Sequence, residues 1–306
     1  MKKTILASAL AFAFVGTASA AQWVDIPEDV NTEKLMINTG YKTDASYSED
    51  YSVISAEKNG SGQIGFAKTN SVEGAEFTKD ARLWVGGGTG FNVIGLLASG
   101  EGQTFVNNGS IYAYAEDASD WWRVKGMFAN AGGVAENNGL IYAKNAIAMS
   151  LGTSGSSQLV NGKDGVIVVE GKGAAFDVSA KDTAGEVVNE GTIIVNGGDE
   201  AFGIRATDGI AGAEITNAGT IIASEGANAI SVIENPNGTS GTAKATTVNL
   251  VKGSHIEGLV VLNETSTLNI AGVQGETIEL ETHRDKGAAE TDKLTVSATD
   301  GSNVTI

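Results

Sequence analysis

A short pattern of apolar and polar residues recurs along the chain and is clearest in residues 187–195, Val-Val-Asn-Glu-Gly-Thr-Ile-Ile-Val. Each copy places apolar residues before an asparagine, a glycine-containing turn after it, and a second apolar run after the turn. Successive asparagines are 24 to 32 residues apart, and a period of this size indicates a repeat protein. The copies are marked by Asn107, Asn137, Asn161, Asn189, Asn217 and Asn249.

A second apolar segment recurs at a similar interval. Within one copy, Phe176 and Val178 alternate with Asp177, as a strand with one polar face requires. No stripe of helical period separates the two segments, so each repeat is predicted to hold two or three short strands joined by glycine turns. The copies are residues 146–149, 175–178, 201–204 and 229–232.

Short strands in a repeat of this length, with no crossover helices, predict an all-β fold. The expected form is a right-handed, single-stranded parallel β-helix, a solenoid in which each repeat forms one coil and equivalent residues stack about 4.8 Å apart. An aliphatic column inside the solenoid would comprise Ile111, Ile141, Ile167, Ile193 and Ile221. A second column would lie at a turn, where Asn tolerates left-handed backbone geometry, and would comprise Asn107, Asn137, Asn189 and Asn217.

Residues 1–20 are predicted to be a signal peptide. Lys2 and Lys3 precede an apolar run at residues 5–15, and Ala18-Ser19-Ala20 forms a small-residue cleavage site. Cleavage there makes Ala21 the first mature residue. The apolar run is too short to span a bilayer, and no later apolar segment is as long, so no transmembrane helix is expected in the mature chain.

The repeat divides the rest of the chain into three parts. Residues 21–85 lack it and are predicted to form an N-terminal cap with irregular first coils, because an open solenoid end would expose unpaired backbone and apolar core. Residues 86–282 carry the β-helix repeats. Residues 283–306 are expected to form a C-terminal coil.

Composition then narrows the choice of partners. The 306 residues include 41 glycines, two prolines and no cysteine, and the formal net charge is −17. Such an acidic chain disfavours nucleic-acid binding, which needs clustered Lys and Arg opposite the phosphates. It equally disfavours docking on anionic lipid. We therefore expect no nucleic acid among the partners.

The Asn-x-Gly-x-Ile repeat behind a signal peptide resembles the passenger domains of bacterial autotransporters, the pertactin-like β-helix family, over about residues 86–300. Residues 291–296, Thr-Asp-Lys-Leu-Thr-Val, resemble a strand that these passengers often carry late in the helix. The resemblance implies an adhesin that passes through the periplasm to the cell surface or the extracellular space. It also implies an outer-membrane barrel after the passenger. The sequence stops at Ile306 without one, so either a chain truncated before its barrel or a free secreted solenoid is expected.

Common enzyme signatures are absent from the sequence. It has no Gly-Asp-Ser-Gly, nucleophile-elbow, P-loop or dinucleotide-binding motif, and His255 and His283 have no partners at the spacing of a triad or metal site. We expect a non-enzymatic protein without catalytic residues, cofactors or a dedicated metal site. The alternative is a polysaccharide lyase or glycoside hydrolase that uses an acidic edge, which could also bind a cation. That edge would comprise Glu170, Asp199, Glu200 and Glu225.

An insertion in one repeat is the first candidate binding site. From the turn glycine to the second apolar segment takes ten residues in three repeats but 17 residues after Gly109. The extra residues lie within 116–124, Glu-Asp-Ala-Ser-Asp-Trp-Trp-Arg-Val, here called the tryptophan loop. Insertions leave a solenoid as surface loops, where Asp120, Trp121 and Trp122 would contact a sugar or protein. Alternatively, the loop folds back and covers the edge of a coil.

The column directly after the isoleucines is the second candidate. Alternation would turn these side chains outward as an apolar stripe, which usually marks a contact surface, with Tyr112 and Tyr142 as binding residues. Alternatively, a bulge or the N-terminal segment buries them. The column comprises Tyr112, Tyr142, Val168, Ile194, Ile222 and Ile256, with His255 in the isoleucine position of the last clear coil.

These features predict a stiff rod that presents the tryptophan loop and an apolar face. Such a rod would function in adhesion or self-association. The expected partner is a host-surface glycan, a host-surface protein or a second copy of the chain.

Overall fold

The computed structural model describes most of the chain after the predicted cleavage site. The predicted signal peptide, His283 and most of residues 283–306 lie outside the described part. Among the described residues, no helix has the length and apolarity needed to cross a membrane. The described ranges are 21–25, 27, 46–55, 63–69, 75–87, 92–152, 156–178, 185–207, 213–233, 246–262, 266–270, 280–281 and 295–298.

The strands, numbered in chain order, form three sheets. Sheet 1 contains β1 (Ser46–Tyr47), β4 (Ala75–Phe77), β7 (Thr104–Asn107), β10 (Val134–Asn137), β13 (Gln158–Asn161), β16 (Glu186–Asn189), β19 (Glu214–Asn217), β22 (Thr247–Leu250), β25 (Thr267–Ile270) and β27 (Thr295–Ala298). Sheet 2 contains β2 (Asp50–Ser55), β5 (Arg82–Gly87), β8 (Ser110–Ala115), β11 (Leu140–Lys144), β14 (Val166–Glu170), β17 (Thr192–Asn196), β20 (Thr220–Ala223) and β23 (His255–Glu257). Sheet 3 contains β3 (Gln63–Thr69), β6 (Val93–Ser99), β9 (Val124–Asn130), β12 (Ile147–Leu151), β15 (Gly173–Val178), β18 (Ala201–Thr207), β21 (Asn228–Ile233), β24 (Leu259–Val261) and β26 (Leu280–Glu281).

From β1 to β24, consecutive strands visit sheets 1, 2 and 3 in turn and then return to sheet 1, so that β7, β8 and β9 form one coil and β10, β11 and β12 form the next. Neighbouring strands in each sheet are parallel. The all-β parallel β-helix predicted from the repeat is confirmed. The later motif that resembles a passenger strand contributes Thr295 and Val296 to β27, which pairs with β25.

The isoleucine column lies inside the solenoid, in register through sheet 2. Leu83 precedes it, and Ile256 follows it opposite Ile221. The prediction for the last coil was therefore wrong by one residue, since His255 is paired with Thr220 and Ile256 belongs to the interior column. The buried column comprises Leu83, Ile111, Ile141, Ile167, Ile193, Ile221 and Ile256.

The asparagine column lies at the end of sheet 1, where each coil turns into sheet 2. Asn161 joins the four predicted members, and all five side chains are fully buried. Asn249 lies outside it, because Leu250 is paired with Asn217. Each Nδ2 donates to the Oδ1 of the next asparagine at 2.7 to 2.9 Å, and the last bonds Ser254 Oγ at 2.6 Å. A buried amide must have such partners, so this column fixes the register of successive coils.

The corner between sheets 1 and 2 varies less in length than the other two corners. Its turn has two residues between Asn137 and Leu140 and four between Asn161 and Val166. Between sheets 3 and 1, the connection ranges from residues 131–133 to residues 234–246. The column of asparagines thus lies at the corner with the least variation in length, whereas the tryptophan loop is inserted between sheets 2 and 3.

The described strands begin at Ser46, within the part of the chain that was predicted to hold a cap and irregular first coils. The strands β1 to β5 all lie within residues 46–87 and pair in register with later coils. Aromatic rings fill this end of the interior: Tyr47 lies 4.8 Å from Phe66 and 5.3 Å from Phe77 between ring centroids. Residues 46–87 therefore form coils in which aromatic rings join aliphatic residues in the core, and these rings hid the coils from the repeat pattern.

Candidate functional site

The tryptophan loop folds back onto the outer surface of sheet 3. It contains a 3-10 helix, Ala118–Arg123, which is preceded by Asp117, whose carboxylate accepts a hydrogen bond from the N–H of Ser119 at 2.8 Å. Trp121 is only 8% exposed, and its ring centroid lies 6.5 Å from that of Phe202, a buried residue outside the interior core. Trp121 thus covers the sheet, as the alternative interpretation of the insertion proposed.

An ion pair from two adjacent coils supports this indole. Arg205 Nη1 donates to Asp177 Oδ1 at 2.9 Å, and the Arg205 guanidinium lies 5.4 Å from the Trp121 ring centroid. Asp177 is buried, and a buried carboxylate requires a partner of opposite charge. The pair therefore places a cation–π contact where the loop meets the sheet.

Lys125, the second residue of β9, anchors the tryptophan loop to sheet 3 by a hydrogen bond. Its Nζ donates to the backbone oxygen of Trp122 at 2.8 Å. Burial lowers the pKa of Lys125 to about 8, with the charge of Arg123 acting in the same direction and that of Asp177 in the opposite one. A cation held in this way fixes the backbone of the loop directly beside Trp122.

Trp122 is 45% exposed and is the one exposed large hydrophobic side chain in the part of the chain that the structure describes. The Arg123 guanidinium lies 4.0 Å from its ring centroid, and Arg123 Nε donates to Asp120 Oδ1 at 2.9 Å. Asp120 thus orients the guanidinium that lies over the indole. This cluster of an indole, a cation and a carboxylate can stack on an apolar ring face and hydrogen-bond its substituents.

The predicted apolar stripe is largely covered. Trp84, Tyr112, Tyr142 and Val168 form a second buried cluster, here called the aromatic groove, on the outer face of sheet 2. Ala21, Trp23 and Val24, which lie in the first described segment, pack against it. The structure therefore matches the alternative in which the N-terminal segment buries the stripe, while Ile194 and Ile222 stay half-buried.

Trp23 makes most of this contact. Its ring centroid lies 5.8 Å from Tyr112, 5.6 Å from Tyr114 and 5.9 Å from Tyr142, each with an edge-to-face geometry. Lys144 Nζ lies 5.8 Å from the same ring. Edge-to-face pairs and a cation over an indole are each favourable, so two successive coils contribute to one binding site for this indole.

Trp84 holds the backbone of the segment. Its Nε1 donates to the carbonyl oxygen of Val24 at 2.9 Å, and its ring stacks on Tyr112 at 5.5 Å between centroids. The Arg82 guanidinium lies over the Trp84 ring, 5.3 Å from its centroid. The hydrogen bond satisfies the one polar atom of a fully buried indole.

Tyr142 is linked to the acidic edge through Glu170. Its hydroxyl donates to Glu170 Oε2, and Glu170 Oε1 lies 3.8 Å from Lys144 Nζ. Burial raises the pKa of Tyr142, and the hydrogen bond and charge of Glu170 raise it further. The phenol therefore stays protonated and acts as a donor.

The other carboxylates of the predicted acidic edge are exposed. Glu200 pairs with Lys172, Asp199 presents its backbone oxygen to Asn228 Nδ2 at 2.9 Å, and Glu225 lies in a turn. His255 contacts Glu257 at 3.0 Å. No group of three or more acidic, histidine or cysteine side chains suited to a metal was found among the described residues.

Sequence reasoning found the tryptophan loop and the tyrosine stripe but missed the residues that complete both surfaces. Arg205 and Asp177 lie in sheet 3, far from the loop in sequence. The repeat could have identified Trp84, since this residue occupies the position of Tyr112 one coil earlier. It could not have identified Trp23, because Trp23 lies outside the repeats.

Comparison of the chain with protein-family models, curated proteins and solved structures finds no match.

Proposed function

We propose that this protein is an exported β-helix passenger, displayed at the cell surface or secreted, that acts in adhesion or self-association and is not an enzyme. The exposed indole of Trp122 carries the proposal. An indole binds the apolar face of a sugar ring, and Arg123 beside it can bind hydroxyl or carboxylate substituents. A host-surface glycan is therefore the favoured partner, ahead of a host-surface protein.

The way the loop is held supports a binding role. Trp121 and Lys125 attach it to sheet 3, and Asp120 orients Arg123. A surface fixed before binding loses little conformational freedom when a ligand docks. A loop that served only to cover the sheet would need Trp121 but would not need an exposed neighbouring indole.

Binding of the mature chain to immobilised glycans and to host-cell surfaces tests the proposal. Trp122→Ala should weaken binding by about 2 kcal/mol, roughly 30-fold in Kd, as expected for a central aromatic contact. Trp122→Phe should retain part of the affinity, and Glu225→Ala, an exposed change elsewhere, should retain all of it. Equal binding by Trp122→Ala and the unaltered chain would rule out this site.

Polysaccharide cleavage is the competing hypothesis. Incubation with acidic and neutral polysaccharides, with and without calcium, should release no product. Product release that Asp199→Ala abolishes would replace adhesion by catalysis at the acidic edge. N-terminal sequencing of the exported protein should begin at Ala21, and a retained leader would contradict the proposed export.

A further inference from the structure

The N-terminal segment, residues 21–25, is attached to the solenoid without joining any of its sheets. These residues form no strand, and their contacts with the described part of the solenoid include those of the Trp23 ring with three tyrosines and Lys144, the packing of Ala21 and Val24, and the hydrogen bond from Trp84 to Val24. The segment therefore occupies the aromatic groove as a bound peptide does. Its release would leave the strand pairing and interior columns intact.

The chain between the segment and the solenoid is long. Residues 26–45 separate Asp25 from the first strand residue, Ser46, and 20 residues span at most about 66–72 Å when extended. The groove lies on β5, β8, β11 and β14, whereas the first described strand of the solenoid is β1. Covalent connection therefore permits the segment to reach the groove of a neighbouring molecule as well as its own.

Exchange would preserve every contact of the segment. The indole and the backbone carbonyl of the segment make the same contacts with the groove whether segment and groove belong to one chain or to two. For this reason, exchange of identical elements is a low-cost route to association. A segment held by a few side chains also opens at much lower free energy than the whole fold.

We propose that the aromatic groove binds the N-terminal segment of a second copy, so that the protein self-associates by segment exchange. In dilute solution a chain closes on itself, because its linker gives the segment an effective concentration on the order of mM. Segment exchange rests on the proposed display role in one respect. Crowding of the protein at a surface raises the concentration of neighbouring segments enough for them to compete with the chain's own segment for the groove.

Two complementary variants of the mature chain test segment exchange in dilute solution, where no surface crowds the molecules. Trp23→Ala keeps the groove but removes the indole that fills it. Tyr112→Thr/Tyr142→Thr keeps the segment but removes two rings of the groove, with residues suited to a strand. Neither chain can close on itself, so light scattering after size exclusion should show each alone as a monomer and the equimolar mixture as a 1:1 complex.

A labelled peptide of residues 21–27 supplies the second measurement. It should bind Trp23→Ala at least tenfold more tightly than the unaltered chain, whose groove is filled, and should dissociate the 1:1 complex when added in excess. Trp122→Ala is the matched control for loss of a tryptophan. It should behave as the unaltered chain here even if it loses adhesion, which separates this inference from the proposed function.

Three results would overturn segment exchange. Peptide binding without a 1:1 complex would restrict the groove to its own chain, and absence of peptide binding to a folded Trp23→Ala chain would show that the groove is not a peptide site. Association of either variant alone would place the interface elsewhere. Should the double variant lose the circular dichroism of the β-helix, Tyr142→Thr replaces it in the same mixture.

Discussion

Replacing Asn137 with Ala should destabilise the protein far more than replacing its neighbour Asn138. Asn137 is fully buried; its Oδ1 accepts from Asn107 Nδ2 at 2.8 Å, and its Nδ2 donates to Asn161 Oδ1 at 2.8 Å and to Gly139 O at 3.2 Å. Asn138 is half-buried and donates to Glu136 Oε1 at 2.7 Å. The two substitutions are thus matched in chemistry and position and differ in burial.

The magnitude follows from the groups left without partners. Asn137→Ala leaves the buried Oδ1 of Asn161 without its donor, which costs about 1–3 kcal/mol, and it removes two further hydrogen bonds worth about 1 kcal/mol each. The expected loss is therefore about 3–5 kcal/mol. Asn138→Ala should change the free energy of unfolding by less than about 0.5 kcal/mol, as is usual at a surface.

Urea unfolding followed by far-ultraviolet circular dichroism measures both values, provided that the dependence on urea concentration keeps the same slope. The double variant Asn137→Ala/Asn161→Ala should lose less than the sum of its single variants, because the stranded oxygen is removed. Equal midpoints for Asn137→Ala and Asn138→Ala would show that the asparagine column does not stabilise the coils.

Three further predictions concern the interior and the tryptophan loop. Ile193→Asp buries an unpaired carboxylate and should cost about 4 kcal/mol or more in urea unfolding, whereas Ile194→Thr on the outer face should cost about 1 kcal/mol or less; equal costs would refute the inward assignment. Trp121→Ala should lower the free energy of unfolding by about 2 kcal/mol through lost burial, and Trp122→Ala should leave the melting temperature nearly unchanged; the reverse order would mean that the indoles exchange roles. In the folded protein the pKa of Lys125 is about 8, below its ordinary value of 10.5, so between these pH values the unfolded chain binds more protons than the folded one. The contribution of Lys125 to the free energy of unfolding therefore increases as pH rises from about 8 to 10.5. Lys125→Met should lack this increase when the unfolding of the two proteins is compared at pH values below and above that range.

The interior columns were predictable because stacked coils force equivalent residues into one line. Spacing alone placed Ile111 and Ile193 correctly. Asn161 was left out because its turn has two extra residues, yet strand pairing depends on the strands and not on turn length. The Asn249 copy was misaligned for the opposite reason: its Val-Asn pair matches the motif, but burial sets Val248 opposite Ile215 and Leu250 opposite Asn217.

The candidate surfaces were less predictable, because each depends on contacts between residues that no repeat relates. The sequence marked the loop as an insertion but could not show which indole would be buried, since that depends on Phe202 and Arg205 several coils later. It likewise marked Tyr112 and Tyr142 as an apolar stripe. Only the structure shows that Trp23 covers them.

The contrast between the two corners has a practical consequence for engineering. A foreign epitope spliced between Ile233 and Thr247, where the natural connection is already long, should be carried on the side of the rod with no effect on its backbone. Replacement of Asn189 would instead interrupt a chain of hydrogen bonds that runs through five coils. The molecule therefore tolerates added residues at one corner and does not tolerate the loss of a single amide at another.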